Sequence, residues 1–278
     1  MLKWDGHTHT PFCKHGSSAS MIHYVQQAIQ QQFQRYTLTE HPPLPPHYIA
    51  DEALQRTLAM PEQELGSYFE QAHSLKQHVE EQIEITVGLE LDYLPDRLEH
   101  ASRLLDQWAG QMEDAVVSVH FLPGSNGNEC VDYTADVLLD RLVPYYGSLD
   151  QLLHAYYDHV EQAIQWAGTL PLRTRIGHIN LIEKFRMSMP ELNPLIMQKR
   201  LENLLPLLQQ AGVGVDVNTA GLRKPLCQQA YVPPWFIAAC VKRNIPLVYG
   251  SDAHHPDEVG AGWDWFAHQI TKAGEKGA

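Results

Sequence analysis

The residues with the most chemistry in this sequence are histidines and carboxylates set two apart. His7-Thr8-His9 near the start, Glu90-Leu91-Asp92 in the first half and Asp252-Ala253-His254 near the end each place two metal-ligand types at i and i+2. In an extended chain alternate side chains point the same way, so each pair can present two donors to one ion. A carboxylate can also bridge two ions. Imidazole and carboxylate donors together suit zinc, manganese or iron. The four cysteines (Cys13, Cys130, Cys227, Cys240) show no close pairing, which argues against a structural zinc site built on thiolates. His-x-His alone is also what two surface histidines look like. With 16 histidines in the chain, position has to separate ligands from bystanders.

Ligands so far apart in sequence must be brought together by regular elements. Seven short β-like runs stand out: Met1–Asp5, Tyr36–Thr39, Ile83–Gly88, Ala115–Val119, Arg173–Ile176, Gly214–Val217 and Pro246–Tyr249. Between them, apolar residues recur near the helical period, as in Met21–Gln32, Leu98–Trp108, Leu149–Ala167, Lys199–Gln210 and Trp235–Arg243. Strand–helix alternation predicts parallel strands with crossover helices, in either a closed barrel or a doubly wound sheet. No Gly-rich turn follows the first run, as a dinucleotide-binding sheet would require. The connection 42–82 is long and opens Pro42-Pro43-Leu44-Pro45-Pro46, which excludes regular helix and central strand there. It reads as an excursion over the strand ends followed by a helix around 61–81.

Just past the runs lie His7 and His9, Glu40 and His41, Glu90 and Asp92, His120, His178, Asn218 and Arg223, then Asp252, His254 and His255. In a parallel α/β barrel the carboxyl ends of all strands converge on one face, where active sites are built. A ligand-type residue at nearly every exit therefore predicts one metal-binding bowl. The residues alone leave His15 open between a solvated loop and a ligand, and His178 between a core histidine and a ligand. His23, His47, His73, His78, His100, His154, His159 and His268 fall in helical or polar stretches and read as surface. His255 would point away from its neighbour, and Glu80/Glu81 and Asp96/Glu99 read as solvated helix faces.

The bulk numbers narrow the classes. At 278 residues and 44% hydrophobic, the chain can bury a large core. A formal charge of −13 disfavours nucleic acid and anionic membrane as partners. No apolar run spans a bilayer and Met1–Gly6 lacks the pattern of a signal peptide. The cysteines then read as reduced thiols of a cytoplasmic protein.

The ordered set Asp5-Gly6-His7-Thr8-His9-Thr10, Thr39-Glu40-His41, Gly88-Leu89-Glu90, His120-Phe121-Leu122-Pro123, Gly177-His178 and Gly250-Ser251-Asp252-Ala253-His254-His255 resembles the PHP-domain phosphoesterases over roughly residues 1–262. Asn218–Lys224 and the final Ser-Asp-Ala-His-His stretch resemble the histidinol-phosphate phosphatase branch. The resemblance implies a distorted (β/α)7 barrel of the TIM-barrel type, one domain over 1–270 with the long connection at 42–82 and a tail at 271–278. It also implies up to three divalent metals. His7, His9, Glu90 and Asp252 would hold the first, and Glu90 would bridge to a second held by His120 and His178. His15, His41 and His254 would hold a third. Arg223 and Lys184 would bind phosphate, Lys184 standing where the family usually has Arg, without its bidentate fork.

The chemistry so implied is hydrolysis of a small phosphate ester, L-histidinol phosphate, by a hydroxide generated between two cations, with Arg223 stabilising phosphoryl charge. Asp252 and His254 are the residues considered for protonating the leaving alkoxide. Asp92, Glu129 and Asp132 are candidates for the substrate's cationic body, and Leu122–Glu129 reads as a flexible covering loop. The alternatives are a phosphatase for another small ester and a non-catalytic module of the same fold. Oligomeric state is not legible.

Overall fold

Each of the seven sequence runs becomes a strand of one sheet, ordered β1-β2-β3-β4-β7-β8-β9 and parallel throughout. The strands are β1 (Trp4–Asp5), β2 (Arg35–Glu40), β3 (Glu84–Asp92), β4 (Asp114–Ser118), β7 (Arg173–Ile176), β8 (Gly214–Asn218) and β9 (Leu247–Gly250). The structure, a computed structural model, describes residues 1–275. The first and last strands meet. Gly6 N donates to Tyr249 O (2.8 Å), Asp252 N to His7 O (2.8 Å) and His9 N to Ala253 O (2.9 Å), and Thr8 bridges Ala253 in parallel. These bonds close the sheet into a seven-stranded barrel. The strand order never reverses, which rules out the doubly wound alternative.

The strands are buried along nearly their whole length, as expected when helices cover the outside of a parallel barrel. Helix α1 (Met21–Gln30) turns Met21, Tyr24, Val25 and Ala28 inward, one face at i, i+3, i+4 and i+7. The connection after β2 holds α2 (Glu52–Leu58) and α3 (Leu65–His78), the latter close to the helix expected there. Helices α4 (Leu98–Trp108) and α6 (Leu149–Ala167), the latter preceded by the short α5 (Val143–Tyr146), flank β4 in sequence. Helix α7 spans Pro194–Ala211, longer than the periodic stretch suggests. Asn193 caps it, Pro194 occupies its first turn, and Gly212 ends it at φ +68°. Helix α8 is Pro234–Lys242 and α9 is Trp263–Glu275. The last helix crosses the expected start of the tail at 271, and residues 276–278 of that tail lie outside the described residues.

Two differences from the sequence reading bear on the site. Strand β3 runs to Asp92, so Glu90 and Asp92 lie within a strand rather than beyond its end. The segment expected as a flexible loop is an antiparallel hairpin, β5 (Phe121–Gly124) with β6 (Gly127–Cys130), pairing Gly124 with Gly127 around Ser125-Asn126. The hairpin is pinned to the 42–58 excursion. Ile49 bridges Asn128, and Tyr48, Ile49, Leu94, Phe121 and Cys130 form a small apolar cluster.

At the opposite end, Arg175 lies inside the barrel, 1% exposed. Its Nη1 donates to Asp114 Oδ1 (2.5 Å) and its Nη2 to Gly6 O, tying β4 and β7 to the segment that follows β1.

Candidate metal centre

Glu90 sits at the middle of the bowl, 1% exposed. Its Oε2 lies 3.2 Å from His7 Nε2, 3.5 Å from His9 Nε2 and 3.2 Å from His41 Nδ1. Its Oε1 lies 2.9 Å from His178 Nε2 and 3.5 Å from His120 Nε2, and accepts from Ser118 Oγ (2.6 Å). One carboxylate thus faces a different imidazole cluster with each oxygen. Asp252 Oδ1 completes the first cluster, 3.2 Å from His9 Nε2 and 3.8 Å from His7 Nε2. In the second, His120 Nε2 and His178 Nε2 are 3.1 Å apart. A third group gathers at the rim, where His15 Nε2 is 3.2 Å from His254 Nε2 and ligand atoms of His9, Cys13, His41 and His254 lie within 4.8 Å of one another.

The fit to cations can be judged from the donors themselves. His7 Nε2 and His9 Nε2 are buried without a hydrogen-bond partner, although carboxylate oxygens stand close by. Nitrogens and oxygens that converge without bonding one another are directed at a common centre. Metal–nitrogen bonds of about 2.0–2.1 Å in tetrahedral geometry place donors about 3.3–3.4 Å apart, the range in which these separations cluster. The residues fit divalent ions.

The opposite side of most rings is fixed. Nδ1 of His7 donates to Asp216 Oδ2 (2.8 Å), Nδ1 of His9 to Glu40 Oε1 (3.2 Å) and Nδ1 of His120 to Asp92 Oδ1 (2.6 Å). His15 Nδ1 donates to Thr57 O (2.9 Å) and His254 Nδ1 to Asp252 O (3.0 Å). Each bond selects the tautomer whose Nε2 lone pair faces inward, the arrangement expected behind metal-ligating histidines. The Thr57 carbonyl shows what the long 42–82 connection contributes: it orients the His15 ring and walls the cavity with Leu58.

Without a cation between them, the buried carboxylates and imidazoles stabilise one another's charged forms. Burial alone would raise Glu90, but the imidazoles of His7, His120 and His41 outweigh it and hold the carboxyl well below its usual range. Burial also opposes ionisation of Asp252, where His7, His9 and His254 prevail in the same direction. Burial would lower His9, whose contacts with Asp252 and Glu40 instead lift it to about 9. At the rim, burial first and then neighbouring histidines lower His15, His41 and His254, which leaves neutral imidazoles with free lone pairs.

Two glycines make room for this packing. A Cβ on Gly250 would come within 2.1 Å of Asp216 Oδ1, and one on Gly177 within 2.1 Å of Ser118 Oγ. Either would push a side chain that holds a ligand-type residue.

Every residue read as a ligand from the sequence is in this bowl: His7, His9, His15, His41, Glu90, His120, His178, Asp252 and His254. Their neighbourhood is a cavity of about 290 Å3 that also exposes Asp92, Asp132, Lys184 and Lys224. Lys184 Nζ donates to Asp132 Oδ2 (2.8 Å). Arg223 is not on the cavity lining. Its Nη1 donates to Ser251 O (2.7 Å), its Nη2 to Asp252 O (2.8 Å) and its Nε to Glu258 Oε1 (3.0 Å). Glu129 is likewise off the lining and pairs with Arg141 (3.1 Å). Asp92 is engaged behind His120. His255 is exposed and caps the turn after it, and none of the histidines read as surface lines the cavity.

Sequence reasoning missed Asp216, Cys13 and Ser118. The available signal for Asp216 was an acid inside Gly214-Val215-Asp216-Val217, a strand with no solvent face. Asn218 was noticed without a role. Its Nδ2 donates to Asp216 Oδ2 and to Asp252 Oδ2, 3.2 Å each, so it orients the first cluster.

A closed parallel barrel with clustered histidines and a shared carboxylate at its carboxyl-end face defines a class, and the comparisons identify the same one. The PHP domain profile matches residues 5–220 and a PHP-associated profile matches residues 237–275. The chain belongs to the PHP family. Within it, the chain is 33% identical to the histidinol-phosphatase of Bacillus subtilis over 270 residues, 96% of this chain and 98% of that one. It is 30% identical over 256 residues to a probable histidinol-phosphatase of Deinococcus radiodurans, covering 92% and 88%. A crystal structure of a candidate histidinol phosphatase from Listeria monocytogenes superposes with a TM-score of 0.89 at 33% identity, covering 95% of this chain and all of that one. The histidinol phosphate phosphatase of Lactococcus lactis, solved with zinc, L-histidinol and phosphate, shares the fold (TM-score 0.72, 17% identity, 98% and 94% covered).

Proposed function

We propose that this chain is a metal-dependent phosphomonoesterase that hydrolyses L-histidinol phosphate to L-histidinol and inorganic phosphate, a step of histidine biosynthesis. The observation behind the chemistry is Glu90, whose two oxygens face separate imidazole clusters in the pocket. The substrate follows from similarity to the histidinol-phosphatases over nearly the full length of both chains.

We assign His7, His9, Asp252 and Glu90 to one cation, Glu90, His120 and His178 to a second, and His15, His41 and His254 to a third. Zinc is the cation we favour, and manganese or iron suit the same donors. Bound there, such ions activate water for attack at phosphorus and neutralise phosphoryl charge. The chain's own residues do the rest. Lys184 and Lys224 supply positive charge at the cavity wall for the phosphate. Asp132, held well below its usual range by Lys184 and His120 despite burial, is an anion on that wall for the substrate's ammonium or imidazole. Asp252 and His254 also line the cavity, and as an ionised ligand and a neutral one they hold no spare proton, so water supplies the proton of the leaving alkoxide. At about 290 Å3 the cavity falls at the small end of ligand sites, in keeping with a compact ester.

No described helix is long and apolar enough to cross a membrane, and all four cysteines are buried and free. We place the protein in the cytoplasm on the strength of the reduced cysteines.

The test is a steady-state panel of phosphate monoesters with zinc-loaded protein. L-histidinol phosphate should give the highest kcat/KM, by at least about tenfold over an ester lacking the imidazole, since one hydrogen-bonded recognition contact is worth about 1.5–3 kcal/mol when charged. Equal kcat/KM across the panel would contradict the substrate assignment.

A further inference from the structure

Asp132 and Lys184 reach the cavity wall from two different strand exits and meet there. Asp132 follows the return strand of the β5–β6 hairpin, where Val131 N donates to His120 O (2.8 Å) and fixes the segment beside a ligand residue. Lys184 follows the short turn Leu181–Glu183, which is closed by Leu181 N donating to His178 O (2.8 Å) and Lys184 N to Leu181 O (2.9 Å). Both side chains line the cavity, with Lys184 25% and Asp132 20% exposed, so both stay within reach of a ligand. Lys184 Nζ donates to Asp132 Oδ2 (2.8 Å), and the Cys130 thiol donates to Asp132 Oδ1 (3.1 Å). The pair is ionised. Burial opposes the charge of Asp132, but Lys184 and then His120 hold the carboxyl well below its usual range. Burial would lower Lys184, and Asp132 outweighs it and keeps the ammonium charged.

This stretch of wall therefore carries a cation that is neutralised in advance. A phosphate dianion in the cavity meets an ammonium whose field is largely cancelled by a carboxylate one hydrogen bond away. Lys184 has three N–H donors, so it can serve Asp132 and a phosphoryl oxygen at once. The anion of Asp132 still repels the phosphoryl group. Inorganic phosphate has nothing to offset that repulsion. The ester does, because its ammonium or imidazole can sit against the same carboxylate. We propose that Asp132 is a specificity-determining residue that separates the ester from the phosphate it releases: paired with Lys184, it weakens the hold on inorganic phosphate and so favours product release.

This inference rests on the phosphatase reading above. The experiment is calorimetric titration of zinc-loaded wild type, Asp132→Asn and Lys184→Met with inorganic phosphate. Alongside it, kcat/KM is measured for L-histidinol phosphate and for phenyl phosphate, an ester with no cationic body. The amide oxygen of Asn can still accept from Lys184, so Asp132→Asn removes the charge and keeps the position. With zinc content equal to wild type, Asp132→Asn should bind phosphate about tenfold more tightly, the scale of relieving one like-charge contact. Its preference for L-histidinol phosphate over phenyl phosphate should fall by a similar factor. Unchanged phosphate affinity would overturn the proposal. Weaker affinity would overturn it too, by showing that Asp132 serves only to aim Lys184. Should Asp132→Asn fail to fold, Lys184→Met decides. Its bare carboxylate should weaken phosphate binding and widen the preference for L-histidinol phosphate, and a narrowed preference would contradict the proposal. If wild type itself showed no preference for L-histidinol phosphate, the substrate reading would fall. The phosphate titration would still decide the role of Asp132, because every phosphomonoester releases the same anion.

Discussion

Glu90→Gln is expected to remove bound metal and turnover together while the barrel stays folded. The amide keeps the volume of the carboxylate but not its charge, and only one of its two ends accepts. Whichever way it turns, an NH2 group faces either the His7, His9 and His41 side or the His120 and His178 side. One cluster then loses its anion and the other keeps a neutral oxygen. The loss should exceed the roughly 10–100-fold that follows from disturbing a partner behind a ligand. Metal analysis should show at least one ion fewer per chain than wild type, and zinc should no longer raise the thermal midpoint as it does for a protein that binds it in the native state. The far-UV circular dichroism should match wild type. Near-normal turnover in this variant would contradict the shared-carboxylate account.

The second large effect lies at the other end of the barrel. Arg175→Met should destabilise the fold by about 3–5 kcal/mol, because it leaves the fully buried Asp114 and the Gly6 carbonyl without their partner. Burial pushes Asp114 up, and Arg175 is the main influence pulling it back down, with the half-exposed Arg173 at 3.6 Å a weaker second. For a chain of this size the loss corresponds to a fall in Tm on the order of 10 °C. Replacing both partners, Arg175→Met with Asp114→Leu, should recover much of the stability, since removing a whole buried pair is far milder than breaking it. Urea denaturation of the two variants measures both effects. A single-variant loss below about 1 kcal/mol would show that the pair contributes little, as surface pairs do.

How much of this was legible in the sequence depends on how each residue is held. The seven strands were visible because a parallel barrel buries both faces of every strand, which leaves short continuous apolar runs between polar punctuation. Choosing a barrel over a doubly wound sheet was not possible from periodicity, because closure depends on the bonds between Gly6–His9 and Tyr249–Ala253, which no local pattern encodes. His7, His9, Asp252 and His254 could be suspected from i, i+2 spacing. His15 could not, because what brings it to the rim is the carbonyl of Thr57 and the ring of His254, both distant in sequence. The hairpin at Phe121–Cys130 was hidden by its own turn. Pro123-Gly124-Ser125-Asn126-Gly127 reads as loop by composition, yet Gly127 at φ +109° serves a tight reversal pinned by Tyr48 and Ile49. Arg223 was singled out for its position in the Asn218–Lys224 stretch, and its bonds to Ser251 O, Asp252 O and Glu258 could not be read there, because all three partners lie about 30 residues away.

The central claim is that one carboxylate joins two metal positions at the floor of this pocket. Anomalous diffraction at the zinc edge, from crystals grown with zinc and inorganic phosphate, tests it most directly. The account predicts one peak between Glu90, His7, His9 and Asp252, a second between Glu90, His120 and His178, and phosphate density reaching toward Lys184. Peaks that leave Glu90 without an ion on either side, or zinc bound only at surface histidines such as His47 or His255, would contradict it.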